Sequence, residues 1–152
     1  MIKFKFKEGT EGFECGREFR NAVLAKEMGF EDGHDEKDDT AIHIVGIENE
    51  KVICYGRMYS VGDYVYAVDK ICVDKKDRKQ YVGDTVLRAF EDRAVTNMAG
   101  IIIADVPECA AEFFIHEDYF KTGEEYTKNG IKYYKMKKDL TKVRGCRGGC
   151  HK

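Results

Sequence analysis

No stretch of this 152-residue chain comes near the about 18 uninterrupted apolar residues that a membrane-spanning helix needs. The opening residues, MIKFKFKEG, alternate lysine with Ile and Phe and contain no signal-peptide core. No internal repeat or linker interrupts the sequence, and 43% of it is apolar, enough to bury one ordinary core. We therefore expect one domain in the cytoplasm, with no membrane association.

The chain has no overall excess of positive charge. Lys and Arg number 26 against 28 Asp and Glu, a formal net charge of −2, so the usual electrostatic footprint of nucleic-acid binding is missing. Residues 121–152 do hold ten basic against three acidic side chains. Neither a helix-turn-helix nor an aromatic RNA-binding signature accompanies them, so a nucleic-acid-binding domain is the weakest alternative, and we expect no nucleic-acid partner.

An acidic segment runs from Glu27 to Asp39, with seven acids against Lys37 alone. Such a segment can bind a metal or a cationic substrate, but a solvated connection is the favoured interpretation. The carboxylates also lack the Asp-x-Asp-x-Asp-Gly order of a calcium loop. We therefore expect no metal there.

Six cysteines are spread through a chain too long to need disulfides, so reduced thiols packed as small hydrophobic groups are expected. We accordingly interpret Cys72 and Cys109 as buried, inert thiols rather than acyl-carrying nucleophiles. Near the C-terminus, Cys146, Cys150 and His151 offer at most three of the about four ligands that structural zinc requires. We expect the segment 141–152 to be a flexible appendage, dispensable for the fold.

The hydrophobic pattern predicts alternating elements in the order β-α-β-β-β-α-β-α-β-β. IKFKFK has the period of a strand, GREFRNAVLAKEM has helical spacing stopped at Gly29, and three β-rich runs, read as consecutive antiparallel strands, lie between Ala41 and Val73. A second helix stopped at Gly100, a buried strand ended by Pro107 and a short helix follow. Asn129-Gly130 between two β-prone segments predicts a final hairpin.

The segment DRKQYVGDTVL, Asp77 to Leu87, joins a strand to a helix through a short basic loop. The first backbone N–H groups of a helix have no partner within it and attract an anion. With Arg78, Lys79 and the permissive Gly83 nearby, the segment suits a phosphate or pyrophosphate, although a plain connection fits equally well. Neither G-x-x-x-x-G-K-[ST] nor G-x-G-x-x-G occurs as an alternative phosphate loop.

RKQYVG resembles the Arg/Gln-x-x-Gly-x-Gly/Ala loop with which the GNAT family of N-acetyltransferases holds the pyrophosphate of acetyl-coenzyme A. The order of elements is that of the family, and the resemblance extends from about Arg20 to Leu140. AVLAKEMGFEDGHDEKDDTAIH, YGRMY and AAEFFIHEDYFKTGEEYTKNGIKYYKM look like successive motifs of the small bacterial ElaA-like or YjcF-like branch.

The resemblance implies the GNAT α/β fold over residues 1–140 and transfer of acetyl from acetyl-CoA to a primary amine by direct attack in a ternary complex. It implies a backbone oxyanion donor around Ile71 to Val73 and makes Asp69 a candidate base. The acceptor is unidentified, no metal cofactor is implied, and a homodimer is left open. The residues implied to contact the cofactor are Ile71, Cys72, Val73, Arg78, Lys79, Gln80, Tyr81, Val82, Gly83, Asp84, Thr85, Phe113 and Phe114.

Three residues depart from the family pattern. Tyr81 replaces the first Gly of the loop, so we expect its backbone to avoid the positive φ that Gly tolerates. Phe114 stands where a tyrosine often protonates the leaving thiolate, and Tyr133 where His is common. The loss of the hydroxyl at Phe114 motivates the alternative of a CoA-binding regulatory or interaction domain without turnover. His43 alternates with Ile42 and Ile44, which favours a structural hydrogen-bonding role.

Overall fold

The computed structural model describes residues 1–9, 14–29, 34–78 and 81–141. Its strands are β1 (Lys3–Glu8), β2 (Ile42–Glu48), β3 (Lys51–Gly62), β4 (Val65–Val73), β5 (Ile101–Pro107), β6 (Phe120–Lys128) and β7 (Ile131–Asp139). Its α-helices are α1 (Glu14–Met28), α2 (Val82–Thr96) and α3 (Ala111–His116). Short 3₁₀ turns cover Glu36–Asp39, Lys75–Asp77 and Glu108–Ala110. The order of strands and α-helices confirms the prediction.

The strands form a seven-stranded mixed sheet in the order β1-β2-β3-β4-β5-β7-β6. β4 and β5 are parallel, with Val65 opposite Ile101 and Val68 opposite Ala104. The pairs β1–β2, β2–β3, β5–β7 and β6–β7 are antiparallel. The predicted mixed α/β fold class is confirmed. None of the helices in the described residues is long and apolar enough to cross a membrane.

The chain divides into two compact units: residues 1–59 with 69–88, and residues 60–68 with the described residues from 89 onward. In the first unit, β2 and β3 form the core, since a run of residues in each strand is buried. Phe19 of α1 packs against Val45 and Tyr55. At Gly46 the register of β2 shifts, and a Cβ there would lie 2.4 Å from Cys54 Sγ, so only glycine fits.

In the second unit, β5 alternates buried Ile102, Ala104 and Val106 with more exposed residues. The β6–β7 hairpin turns at Asn129 and Gly130, whose φ values of 53° and 76° are those of a type I′ turn. The hairpin predicted from the Asn-Gly pair is therefore confirmed.

A buried charge cluster also lies in the second unit. Lys138 Nζ donates to Glu91 Oε1 at 3.0 Å, and the Tyr119 hydroxyl donates to Glu91 Oε2 at 3.0 Å. All three residues are almost completely buried. Because each carboxylate oxygen accepts a hydrogen bond, the buried charge of Glu91 is compensated.

The end of α2 differs from the prediction. The helix stops at Thr96 rather than running to Gly100, and Met98 adopts the left-handed conformation with a φ of 70°. The Ala99 N–H donates to the Ala94 carbonyl at 2.8 Å and the Met98 N–H to the Val95 carbonyl at 2.9 Å, the two bonds of a Schellman motif. Gly100, the glycine signal in the sequence, therefore lies two residues beyond Met98, the residue that adopts the left-handed conformation after the helix.

We predict that Met98→Gly raises the free energy of unfolding by about 0.5–1 kcal/mol, because a side chain in the left-handed region is strained and glycine is not. Met98 is 75% exposed, so little packing is lost. Met98→Ala is the matched control: it keeps the Cβ and should leave the stability nearly unchanged. Urea unfolding of the three proteins tests this, and equal stabilities for the Gly and Ala variants would contradict it.

Candidate active site

The predicted phosphate-binding segment has the strand-loop-helix form expected from the sequence. β4 ends at Val73, a 3₁₀ turn follows at Lys75–Asp77, and α2 begins at Val82. Lys79 and Gln80 lie outside the described residues.

The expectation that Tyr81 avoids positive φ is wrong. Its φ is 63°, in the left-handed region, although its side chain has a Cβ. The residue is 79% exposed, so the ring stands in solvent and displaces no packed neighbour. The Thr85 N–H donates to the Tyr81 carbonyl at 3.0 Å and the Thr85 hydroxyl to the same oxygen at 2.9 Å, which ties Tyr81 to the first turn of α2. Tyr81 thus has a glycine-like backbone conformation although it carries a side chain.

The first turn of α2 has one buried apolar residue and two partly exposed residues. Val82 is buried, whereas Gly83 and Asp84 are half-buried. In a helix the first amide groups have no carbonyl one turn earlier, so their N–H bonds point away from the helix body. Asp84 Oδ1 accepts from Arg88 Nε at 2.9 Å, which balances the carboxylate nearest these amides. The start of α2 therefore presents N–H donors next to a carboxylate, that of Asp84, which is paired with Arg88.

Arg78 is engaged through two of the three nitrogen atoms of its guanidinium, Nε and Nη2. Its Nε donates to the Val73 carbonyl at 2.9 Å, which ties the loop to the end of β4. Its Nη2 donates to Glu27 Oε2 in the last turn of α1. This position of Glu27 could not be read from the sequence, because 51 residues separate the pair.

β4 changes conformation immediately before the predicted oxyanion segment, Ile71 to Val73. Lys70 has a φ of 55°, which is unusual for a strand residue with a side chain. The register with β5 pairs the first four residues of β4, Val65–Val68. Cys72 is buried, and its Sγ donates to the Lys70 carbonyl at 3.4 Å. Such an irregularity in a strand re-aims the backbone groups that follow it, here those of Ile71 to Val73.

Asp69, the candidate base, is held by a buried arginine. Arg57 Nε and Nη2 each donate to one oxygen of the Asp69 carboxylate at 2.8 Å, a bidentate pair. The Arg57 side chain is 1% exposed and that of Asp69 24% exposed, so the carboxylate reaches the surface from a buried support. A carboxylate has about four acceptor positions, and two of them are used in this pair.

Arg57 continues into a network centred on Asp38. Arg57 Nη1 donates to Asp35 Oδ1 at 2.7 Å and to Asp38 Oδ1 at 2.8 Å. Arg20 of α1 donates to both oxygens of Asp38, at 2.8 and 3.1 Å. Burial alone would raise the pKa of Asp38, but the hydrogen bonds from Arg20, the Asp35 backbone and Arg57 hold that pKa well below its usual range.

His43 and Tyr55 complete this network. His43 Nε2 lies 3.0 Å from the Asp38 carbonyl, which can only accept, so Nε2 carries the proton. His43 Nδ1 then accepts from the Tyr55 hydroxyl at 2.6 Å, and that hydroxyl accepts from Arg20 at 3.1 Å. Burial and the nearby arginines lower the pKa of His43, which keeps the ring neutral. The favoured structural role of His43 agrees with these contacts.

The interpretation of the acidic segment as a solvated connection is wrong for its C-terminal part, around Asp35 and Asp38. Asp38 is completely buried, and Asp35 caps the turn that contains it through bonds to the Lys37 and Asp38 amides. Their partners, Arg20 and Arg57, come from α1 and β3, and no local charge pattern links them. Residues 30–33 of this segment lie outside the described residues, and within the described part no group of three His, Cys, Asp or Glu side chains could hold a metal.

Phe113 and Phe114 belong to α3 in the second unit. Phe114 is buried, and its ring meets those of Phe113 and Tyr119 edge to face, with centroids 5.3 and 5.2 Å apart. The Tyr119 hydroxyl, the nearest phenol on this ring cluster, is bound to Glu91. Phe114 therefore acts here as a packed aromatic residue.

The predicted burial of the thiols is confirmed for Cys54 and Cys72 and wrong for Cys15 and Cys109. Cys109 is exposed, because it lies in the 3₁₀ turn after Pro107 rather than on the buried face of α3. Burial raises the pKa of Cys54 to about 12, so that thiol stays protonated. Cys146, Cys150 and His151 lie outside the described residues.

Comparison with known proteins gives a consistent match. A family model described as the acetyltransferase (GNAT) domain matches residues 8–140. The Bacillus subtilis protein described as uncharacterized N-acetyltransferase YjcF is 30% identical over 123 residues, 79% of this chain and 87% of that protein.

Two solved structures share the fold. Escherichia coli ElaA has a TM-score of 0.81 at 17% identity, covering 91% of this chain and all of its own. An aminoglycoside 6′-N-acetyltransferase complexed with coenzyme A has a TM-score of 0.72 at 11% identity, covering 90% of this chain and 97% of its own.

The fold and the relatives identify an acyltransferase of the N-acetyltransferase class. The chain belongs to the GNAT acetyltransferase family, as the resemblance in the sequence predicted. The activity of that family is acyl transfer from coenzyme A to an amine.

We predict that stability falls in two stages as the pH is lowered. The pKa of His43 is below its ordinary value of 6.5 in the folded chain, so below about pH 6.5 the unfolded chain binds a proton that the native chain resists. The lowered pKa of Asp38 adds a second loss below about pH 4, where the unfolded carboxyl protonates first. Melting temperatures from pH 8 to 3 measure both stages.

The matched variant is His43→Gln, whose amide can still donate to the Asp38 carbonyl but cannot titrate. It should lose the first stage and keep the second. Identical pH profiles for the two proteins would show that His43 does not cause the loss near pH 6.

Proposed function

We propose that this chain transfers an acetyl group from acetyl-CoA to a primary amine by direct attack within a ternary complex. The observation that carries this proposal is the helix start at Tyr81–Thr85, which keeps a glycine-like backbone in a chain of the GNAT family. A strained residue is retained where the surrounding structure requires that conformation. Binding of an anion at the helix start supplies such a requirement.

In this proposal the pyrophosphate of CoA lies on the backbone N–H groups between Lys79 and Thr85, assisted by Arg78; the Thr85 N–H itself is used by the Tyr81 carbonyl. The helix dipole and the outward N–H groups favour an anion there. The pairing of Asp84 with Arg88 reduces the repulsion that its carboxylate would otherwise exert. A relative by fold, the aminoglycoside 6′-N-acetyltransferase, is solved with coenzyme A, which supports a CoA site in this chain.

The thioester carbonyl would lie at the distal part of β4. A tetrahedral oxyanion needs an N–H donor aimed at it, and the positive φ of Lys70 supports a re-aimed backbone from Ile71 to Val73. Asp69, one residue before the irregularity, would take the proton of the attacking amine directly or through water. The bidentate pair with Arg57 fixes its orientation and leaves acceptor positions for that proton.

The second candidate is a CoA-binding regulatory or interaction domain. Its motivation is Phe114, which lacks a hydroxyl and is packed between Phe113 and Tyr119. The two candidates differ in thiol release from acetyl-CoA measured with a panel of amines. Release that depends on the amine supports the enzyme, whereas CoA binding without such release supports the regulatory domain.

We further propose that residues 1–140 work as one acetyltransferase domain, supported by the family match to residues 8–140. Three statements stay predictions from the sequence: that the protein is cytoplasmic, that it uses no metal cofactor, and that the segment 141–152 is dispensable. A homodimer stays open.

We predict that Gly83→Asp weakens CoA binding by at least about fivefold, because an added unit negative charge about 4 Å from a phosphate repels it by about 1 kcal/mol or more. A negative charge at the start of a helix interacts favourably with the helix dipole, so the free energy of unfolding should not fall. Gly83→Asn, equal in size and uncharged, is the control and should bind much more tightly than the Asp variant. Calorimetry showing unchanged affinity in a folded Asp variant would defeat the pyrophosphate assignment.

We predict that Asp69→Asn lowers kcat strongly and leaves the acetyl-CoA Kd nearly unchanged, as loss of a base does. Asp35→Asn is the matched control, since it removes another carboxylate from the same guanidinium. Equal losses of kcat in the two variants would mean that Asp69 acts only by holding Arg57. A fall in cofactor affinity would make Asp69 structural.

A further inference from the structure

The ion pair between Glu27 and Arg78 is a contact at the candidate site to which no role has been assigned above. Glu27 lies in the last turn of α1, and Arg78 lies at the start of the proposed pyrophosphate loop. Both side chains are 38% exposed, so solvent and solutes reach the pair. A charged group of the ligand can therefore compete for it.

The geometry of Arg78 determines what such a competitor meets. Its Nε is used by the Val73 carbonyl, which holds the guanidinium against the end of β4. Its Nη2 is used by the Glu27 carboxylate. Carboxylate and phosphate oxygens bind the same N–H donors of a guanidinium. Two of the five N–H donors of Arg78 are thus in use, and an anion that takes the same donor on Nη2 competes with Glu27.

Glu27 is placed there by a buried anchor on the same helix. Arg20 is seven residues earlier, which is about two turns and about 10 Å along one helix face. Arg20 is completely buried and binds Asp38 and Tyr55. Because this anchor fixes α1, Glu27 is presented to Arg78 as part of the fold rather than by a chance surface encounter.

We propose that Glu27 is an internal competitor of the CoA pyrophosphate for Arg78 and so limits the affinity of the cofactor, an inference that rests on the proposed function. Binding of the pyrophosphate transfers Arg78 from the carboxylate to the phosphate oxygens and leaves Glu27 to solvent. Release of CoA is assisted by the return of Glu27. Glu27 therefore tunes affinity and is not a catalytic residue.

The test is calorimetric titration of the full chain with coenzyme A at fixed ionic strength. Glu27→Gln should tighten the Kd about two- to fivefold, the range expected for loss of a partly exposed ion pair. Glu14→Gln is the control, because Glu14 lies on the same helix in an ion pair with Arg17. It should leave the Kd unchanged. In an Arg78→Gln background the effect of Glu27→Gln should vanish, since the contested donor is gone.

Each other outcome overturns the inference. An unchanged Kd for Glu27→Gln in a wild-type chain that binds CoA removes the competition and leaves the proposed function standing. A weaker Kd shows that Glu27 positions Arg78 for the ligand instead. If Glu27→Gln still tightens the Kd in the Arg78→Gln background, the change comes from the lost negative charge near the ligand and not from competition for Arg78. A wild-type chain that binds no CoA defeats the proposed function and this inference together.

Discussion

The first unit depends on one buried carboxylate, Asp38, which joins two buried arginines. Arg20 brings α1 to it and Arg57 brings β3, while its backbone carbonyl holds His43 on β2. A buried charge without its partner is strongly destabilising, by about 3–5 kcal/mol. The positions of the helix, both strands and the capped turn are therefore linked by a requirement of charge compensation, not only by apolar packing.

This arrangement also joins structure to chemistry. Arg57 uses one edge for Asp69 and the other for Asp35 and Asp38, so the proposed base is fixed by the same charges that stabilise the core. A base on an irregular strand would otherwise be free to turn. The bidentate geometry orients the carboxylate and keeps part of it at the surface.

Periodicity predicted the order of elements, the Asn-Gly pair predicted the hairpin, and the resemblance of short motifs predicted the family, because all of these signals depend on neighbouring residues. The network was missed because Arg20, Asp38 and Arg57 are far apart in sequence, and each alone is typical of a surface. The prediction assigned left-handed backbone conformations to glycine alone, and this was wrong at two positions. Met98 adopts that conformation because the two hydrogen bonds that end α2 outweigh about 1 kcal/mol of strain, and Tyr81 adopts it at the start of the same helix. The proposed role of Glu27 could not be predicted from the sequence, because it depends on the contact that the fold creates between α1 and Arg78.

The buried pair of Glu91 and Lys138 has a consequence for how the second unit forms. During synthesis α2 leaves the ribosome first, and the lysine follows 47 residues later in β7. Until β7 has been made, burying Glu91 would leave its charge without a counterion, which is unfavourable. α2 can therefore dock fully only after the last strand arrives, so the final hairpin sets when this half of the protein becomes native.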